Sequence, residues 1–436
     1  MVLTGKKRWL LLVIVSLLSG IMVYVPYLRF NYYDQMVLLF SEYKQIAKPS
    51  NVNEFIGDCT LVLGVVCTVG YPIGGYLADK FSEKWLMILG AVLMGVCSFW
   101  YGLVPGGYSL QFIHFFYGIG TSILIWSAYL KTVRKLGTAK EQGRMFSMSE
   151  FVRAIWGTVL GFLAVGLLNR AIMPGGETDL NVLAAQWKNA MFFCGIAFFV
   201  LAALVFFLLP NHLVGAEVEG DIVQEKLTFK NALTILKMPG TWLVSLLIFF
   251  CYSFTAAGSG YLGAFTVNVL GVSQTTASSF AIVRNYIIAG LSTLAIGFIA
   301  DKIGFKVKTL GYYLAIASIF VAAMLLTKNS LTLGIVISFG FAIIYTGMRG
   351  VYFATLSEVG IPLALNGVAT GVVSLICYLP DVYFAKIAGI WLDTYGNHGY
   401  DLIWYWTIGC GVLGVITAII TTRYANNLKK KSACRP

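Results

Sequence analysis

The sequence predicts an all-α polytopic membrane protein whose twelve transmembrane helices form two pseudo-symmetric six-helix bundles. Three observations predict it: a composition too apolar for a soluble fold, twelve apolar runs of spanning length, and a loop sequence that recurs half a chain apart. Of the 436 residues, 58% are hydrophobic and 11% charged, against roughly 45–50% and about 25% in ordinary globular chains. So few charges could not cover that much apolar surface in water. A bilayer can serve as its solvent, provided each span satisfies its own backbone hydrogen bonds as a helix. Runs of about 20 residues fit helices, not the roughly ten-residue alternating strands of a membrane barrel.

The spans fall at about 9–30, 55–77, 85–104, 109–130, 145–168, 189–210, 240–265, 276–299, 309–327, 332–356, 365–390 and 402–422. Lys6, Lys7 and Arg8 precede the first, as in a signal peptide. No small-residue cleavage site follows, so a retained first helix is expected. With both termini inside, the inner segments hold 21 lysines and arginines and the outer loops five, and five more lie within spans. The positive-inside rule therefore places both termini in the cytoplasm. The net charge of +12 is thus a topology signal, and no nucleic-acid partner is expected. The eight cysteines, Cys434 among them, mostly lie in apolar runs without CxxC spacing and read as packing residues.

Gly75-Tyr-Leu-Ala-Asp79-Lys80-Phe-Ser-Glu-Lys84 follows span two, and Gly297-Phe-Ile-Ala-Asp301-Lys302-Ile-Gly-Phe-Lys306 follows span eight, 222 residues later. Each copy holds the same place in a six-span half. The longest polar connector, 211–238, lies between the halves and carries Glu217, Glu219, Asp221 and Glu225 among lysines. The expected organisation is an N-terminal bundle over 1–210, a cytoplasmic linker over 211–238, and a C-terminal bundle with a basic tail over 239–436. Repeat-built bundles of this kind are the plan of a rocking transporter.

The repeated loop resembles the signature loop of the major facilitator superfamily, and span count and linker position extend the likeness to the whole chain. That resemblance implies a charge latch at an inner gate, with roles for Asp79, Lys80, Asp301 and Lys302. Ser82 stands where the motif usually has glycine, so the first latch is expected to pack differently. Within the superfamily, Tyr27-Leu-Arg29-Phe-Asn31 resembles a first-helix run of the organophosphate:phosphate antiporters. Arg144-Met-Phe-Ser-Met-Ser-Glu150-Phe-Val-Arg153-Ala-Ile-Trp-Gly157 resembles their fifth-helix stretch, with Arg153 in the place of a substrate-pocket histidine. Gly389-Ile-Trp-Leu-Asp393, followed by Gly396 and Gly399, resembles the end of their eleventh helix. Span seven, Tyr252-Ser-Phe-Thr-Ala-Ala-Gly-Ser-Gly-Tyr261, has no counterpart of their second phosphate-binding arginine. The resemblance therefore implies a related branch that takes another organic anion.

An ionisable group at membrane depth costs about 2.5–3.5 kcal/mol on insertion scales, so each is a functional hypothesis. Arg153 and Arg284 should lie near mid-depth, Arg349 about 12 Å from the inner end of its span and Arg29 nearer the outside, at ~1.5 Å per residue. Arginine stays charged, and its planar fork matches carboxylate, phosphate or sulfonate oxygens. These four, with Tyr32, Tyr286 and Tyr378 as lining aromatics, are the expected substrate-binding residues. Each has a plainer reading as well. Arg153 and Glu150 share a helix face and could neutralise each other. Arg29 could extend outward, and Arg349 could brace Glu358. Glu150 and Asp381 are the expected proton-coupling carboxylates, since such a group in an apolar cavity can exchange protons near neutral pH. Pro380 should kink span eleven beside Asp381. The pairs Gly157/Gly161 and Gly367/Gly371 read as close helix approaches.

His114, His212 and His398 form no metal or triad set, and no P-loop, GxGxxG or nucleophile elbow occurs. No cofactor, metal or catalytic residue is expected. The sequence reads as a secondary transporter, not an enzyme, moving a small organic anion (carboxylate, sulfonate, sugar acid or phosphate ester) by alternating access. Proton coupling or anion exchange drives it. The expected setting is a monomer in a bacterial inner membrane. The rival readings are a transporter-like sensor for such an anion and an exporter of drugs or hydrophobic compounds.

Overall fold

The computed structural model describes residues 5–137, 141–174, 176–211, 213, 229–362 and 365–433. Twelve helices among them are long and apolar enough to cross a bilayer. They are α1 (Gly5–Tyr43), α2 (Val52–Lys80), α3 (Glu83–Gly102), α4 (Ser109–Lys135), α5 (Arg144–Ala171), α6 (Leu180–Leu208), α7 (Pro239–Asn268), α8 (Gln274–Ile303), α9 (Lys306–Leu326), α10 (Leu331–Met348), α11 (Asn366–Tyr395) and α12 (His398–Lys430). Their outer faces carry exposed apolar side chains such as Phe207, Phe298 and Leu326, the expected distribution where lipid replaces water. The linker residues 214–228, with Glu217, Glu219, Asp221 and Glu225, lie outside the described residues, as do His212 and Cys434.

Packing divides the chain into two compact units, one of Met1–Asp221 with Ser273–Ile287 and one of Ile222–Val272 with Ile288–Pro436. Inside the first, α1 packs on α5, α2 on α4, and α3 on α6. Inside the second, α7 packs on α11, the inner part of α8 on α10, and α9 on α12. Adding six to each number turns the first set of pairs into the second, which is the relation the repeated loop announces. The outer part of α8, Ser273–Ile287, is built into the first unit, although the sequence places it in the second bundle.

Local chemistry fixes the helix ends. Asp179 caps α6 by accepting from the Asn181 and Val182 amides at 2.9 and 3.1 Å, a strong start signal, and the helix begins at Leu180, nine residues before the expected 189. Glu358 caps α9, accepting from the Lys306 and Val307 amides at 2.6 and 2.9 Å. It therefore neutralises a helix N-terminus and does not serve as the brace expected for Arg349. Gly304 ends α8 at φ 72°, a left-handed conformation that glycine adopts without penalty. Its counterpart in the first loop, Ser82, is extended at φ −64° and ψ 129°, so the two copies turn differently, as the serine suggests.

Two further boundaries differ from expectation. Span ten ends at Met348, and the chain turns into a short 3-10 helix, Phe353–Val359, instead of continuing to 356. Span one runs far past residue 30. It is α-helical over Gly5–Tyr24, turns at 25–28, resumes as Arg29–Val37, and widens into a π-helical turn at Leu38–Tyr43. Span eleven breaks at Tyr378, and Pro380 opens its second half, Leu379–Tyr395, as a proline free of an upstream partner should. Gly161 approaches Ile282 closely, a Cβ there falling 2.8 Å from it, whereas a Cβ on Gly371 would meet nothing within 4 Å.

Candidate functional site

The first unit gathers most of its buried polar chemistry where α1 and α8 lose regular geometry beside α5. In α1, Tyr32 departs from helical angles (φ −134°, ψ 38°) and follows the turn at 25–28. In α8, Val283–Ile288 form a π-helical turn, a feature common at functional sites. Irregular backbone at membrane depth is tolerated only inside protein or along a cavity. The two segments carry related sequences, Arg29-Phe-Asn31-Tyr32 and Arg284-Asn285-Tyr286.

Arg29 is 5% and Arg284 2% exposed. Arg29 lies over the Phe30 ring at 5.0 Å and is drawn into the unit instead of extending outward. Asn285 Nδ2 donates to Asn31 Oδ1 at 3.0 Å, and the Tyr286 hydroxyl lies near the Asn31 side chain. Gln35 Nε2 donates to Ser278 Oγ at 3.2 Å, and Thr275 Oγ1 to Asn169 Oδ1 at 2.8 Å. The Tyr24 and Tyr32 hydroxyls lie 2.9 Å apart and donate to the Leu160 and Gly161 carbonyls. Tyr32 is therefore a wall of the site whose hydroxyl already serves α5. It also lines a small cavity with Gln35, Asn169, Thr275 and Ser278.

Arg153 projects from α5 with only 14% of its side chain exposed, and its guanidinium pairs with Glu150, which is 63% exposed. The Trp126 and Tyr129 rings hold the guanidinium at 5.4 and 5.9 Å, the distance range of cation–π attraction. Tyr129 continues into a hydroxyl chain through Ser149 to Ser16, at 2.5 and 2.7 Å. Asp34, Asp58 and Glu150 are half-buried or exposed, while Arg29 and Arg284 are buried and Arg153 nearly so; Glu83, at the first residue of α3, is the buried acid among the described residues of this unit.

In the second unit, Asp381 sits in the first turn after the α11 break and accepts from Tyr252 Oη at 2.5 Å. Tyr378 stands edge-on to Tyr252 with ring centroids 4.6 Å apart. Arg349, at the end of α10, is exposed, and its charge reaches Tyr378 and Tyr352. Tyr252, Tyr378, Asp381 and Arg349 thus form one neighbourhood.

At the loop after α2, Asp79 pairs with Lys131 of α4 at 3.3 Å, and Lys131 also donates to the Ala78 carbonyl at 2.5 Å. Glu83, 8% exposed, holds Lys135 at 2.5 Å and Lys131 at 3.5 Å. Lys80 extends over the Tyr76 ring at 4.8 Å. In the second copy, Asp301 and Lys302 are both exposed.

Several of these residues escape the sequence reading. Asn31, Asp34 and Gln35 lie three and four apart, the spacing of one helix face, and that pattern could have extended span one past residue 30. Lys131 and Lys135, also four apart, could have marked the partners of the loop acids. Asn285 has no such signal, because its role depends on what α1 brings to it.

Two repeat-related sets of six spanning helices, with arginines buried where helices break, define a multi-pass membrane transporter. The chain belongs to the Major Facilitator Superfamily, whose family model matches residues 52–385. It is 25% identical over 436 residues to the inner membrane protein YihN of Escherichia coli (strain K12), covering 98% of each chain. To the inner membrane protein YqcE of the same organism it is 25% identical, covering 94% of this chain and 93% of that one. Among solved structures, it resembles a bacterial homolog of the human lysosomal transporter Spinster (TM-score 0.70, 14% identity, 97% of both chains). It also resembles the nucleoside transporter NupG (0.69, 13%, 96% of this chain and 100% of that). A D-xylose-proton symporter is similar too (0.67, 18%, 95% of this chain and 97% of that). At these identities the structural likeness is one of fold. The protein is a transporter and not an enzyme.

Proposed function

We propose that this transporter moves a small organic anion, bearing a carboxylate, sulfonate or phosphate ester, by alternating access. One observation carries the reading: Arg284 and Arg29, 2% and 5% exposed, are the most deeply buried charges among the described residues of the first unit, and Arg153 is only 14% exposed. Fixed cations inside a membrane protein cost too much to keep without a use, and guanidinium forks suit oxyanions. Tyr286 and Tyr32 form the polar wall beside them, and Arg349 and Tyr378 contribute the corresponding groups of the second unit. Glu150 and Asp381 carry the coupling proton, unless a counter-anion takes that role. Asp79, with Lys80, Asp301 and Lys302, serves the inner gate, and Lys131 and Glu83 complete the first copy of that latch. The protein works as a monomer with both termini cytoplasmic, and its setting is an inner membrane, the last in keeping with the names of its Escherichia coli relatives.

The test is a thermal-shift screen of purified protein against carboxylates, sulfonates, sugar acids and phosphate esters, followed by flux in proteoliposomes. A ligand adds RT ln(1 + [L]/Kd) to stability, so even millimolar binders register at high concentration. Stabilisation by anions, followed by their uptake or exchange, is the expected result. Stabilisation confined to cationic or hydrophobic compounds would overturn the reading.

A further inference from the structure

Resting on that anion reading, we propose that Asn31, Asn285 and Tyr286 form a hydroxyl-recognition subsite that selects hydroxylated organic anions over their deoxy analogues. The arginines account for an anionic group and for nothing else in a substrate. Beside them stands a set of neutral groups joined across two helices. Asn31 accepts from Asn285 Nδ2 at 3.0 Å through its amide oxygen, and the Tyr286 hydroxyl lies near the same side chain. The Asn31 oxygen and the Asn285 nitrogen are therefore committed to each other. Within the triad this leaves the Asn285 amide oxygen as an acceptor and the Tyr286 hydroxyl proton as a donor. An acceptor and a donor on adjacent residues are what a hydroxyl group, itself donor and acceptor, can engage at both valences.

Position strengthens the case. Arg29 is two residues before Asn31, and Arg284 immediately precedes Asn285, so each amide is bracketed by a cation of its own segment. Both segments are the irregular ones, the non-helical Tyr32 region and the Val283–Ile288 turn. The Tyr286 ring is seated directly on Gly157 of α5, where any Cβ would collide with it. That contact fixes the hydroxyl within the reach of the Arg153 charge. Pure packing explains none of this polarity, since Leu or Phe at 31 and 285 would join the helices without amides.

The experiment compares three probes of one chain length, gluconate, hexanoate and the neutral polyol sorbitol, by titration of purified full-length protein. Gluconate should bind at least about tenfold more tightly than hexanoate, because a site built around polar partners rejects a ligand that leaves them unmet. Asn31→Leu and, more gently, Tyr286→Phe should bring that ratio close to one, whereas Arg284→Lys should weaken both anions and keep the ratio. Equal binding of gluconate and hexanoate by the unaltered protein would overturn the inference and leave the anion reading standing. So would a ratio unmoved in a well-folded Tyr286→Phe. Sorbitol binding without gluconate preference would instead sink the anion reading while sparing the subsite. No binding by any of the three would overturn both.

Discussion

Arg284 is the side chain on which the anion assignment turns. It is 2% exposed at the wide turn of α8, and replacing it by lysine keeps the charge while removing the planar fork. Arg284→Lys should weaken anion binding by about 10- to 150-fold, the equivalent of one charge-assisted hydrogen bond at about 1.5–3 kcal/mol. Titration on monodisperse protein reads this directly, and an unchanged dissociation constant would make the cation a packing element. Arg153 is a poorer subject, because its removal strands Glu150 and empties the space between Trp126 and Tyr129. The arginines were legible in the sequence because a charge in an apolar run is conspicuous without any fold. Their neighbours were not. Asn285 looks like one amide in an unremarkable stretch until Asn31 is placed opposite it, and the Tyr252–Asp381 pair joins residues 129 apart.

At the scale of helices, close approach decides what the site can be. Gly157 gives the Tyr286 ring its seat, so Gly157→Ala should displace that ring, lower transport severalfold or more, and leave expression and melting temperature little changed. Uptake in proteoliposomes checks this, and normal uptake would show that the ring is free to shift. A second element effect is purely structural. Glu358 caps α9 through two backbone amides, and Glu358→Gln should cost about 1 kcal/mol of stability, visible as a lower melting temperature with unchanged ligand affinity. Helix existence was readable throughout because spanning length and apolarity are set by the bilayer itself. Helix ends were less so. The polar run Asn31–Asp34–Gln35 looked like a loop because hydropathy counts polarity alone, whereas those side chains are turned inward and the chain stays helical to Tyr43.

For the whole molecule, the 21-to-5 excess of basic residues predicts a cytoplasmic linker. Single cysteines placed at 214–226 should resist an impermeant thiol reagent in intact cells and react once the membrane is opened. Reaction from outside would reverse the orientation. The repeat foretold two equivalent halves, and the matching helix pairs in each unit carry that relation. What the repeat could not foretell is that Ser273–Ile287, encoded beyond the linker, is built into the first unit. The linker is therefore not the only place where the chain passes from one unit to the other. A fragment ending in the linker would leave Asn31, Gln35 and Asn169 facing lipid without the partners that α8 supplies. Unsatisfied amides of that kind are costly in a bilayer and would destabilise the fragment. Expressed alone, the N-terminal fragment should be short-lived, and co-expression of the other fragment should rescue it, as when a clasp is returned to the half that lacks it.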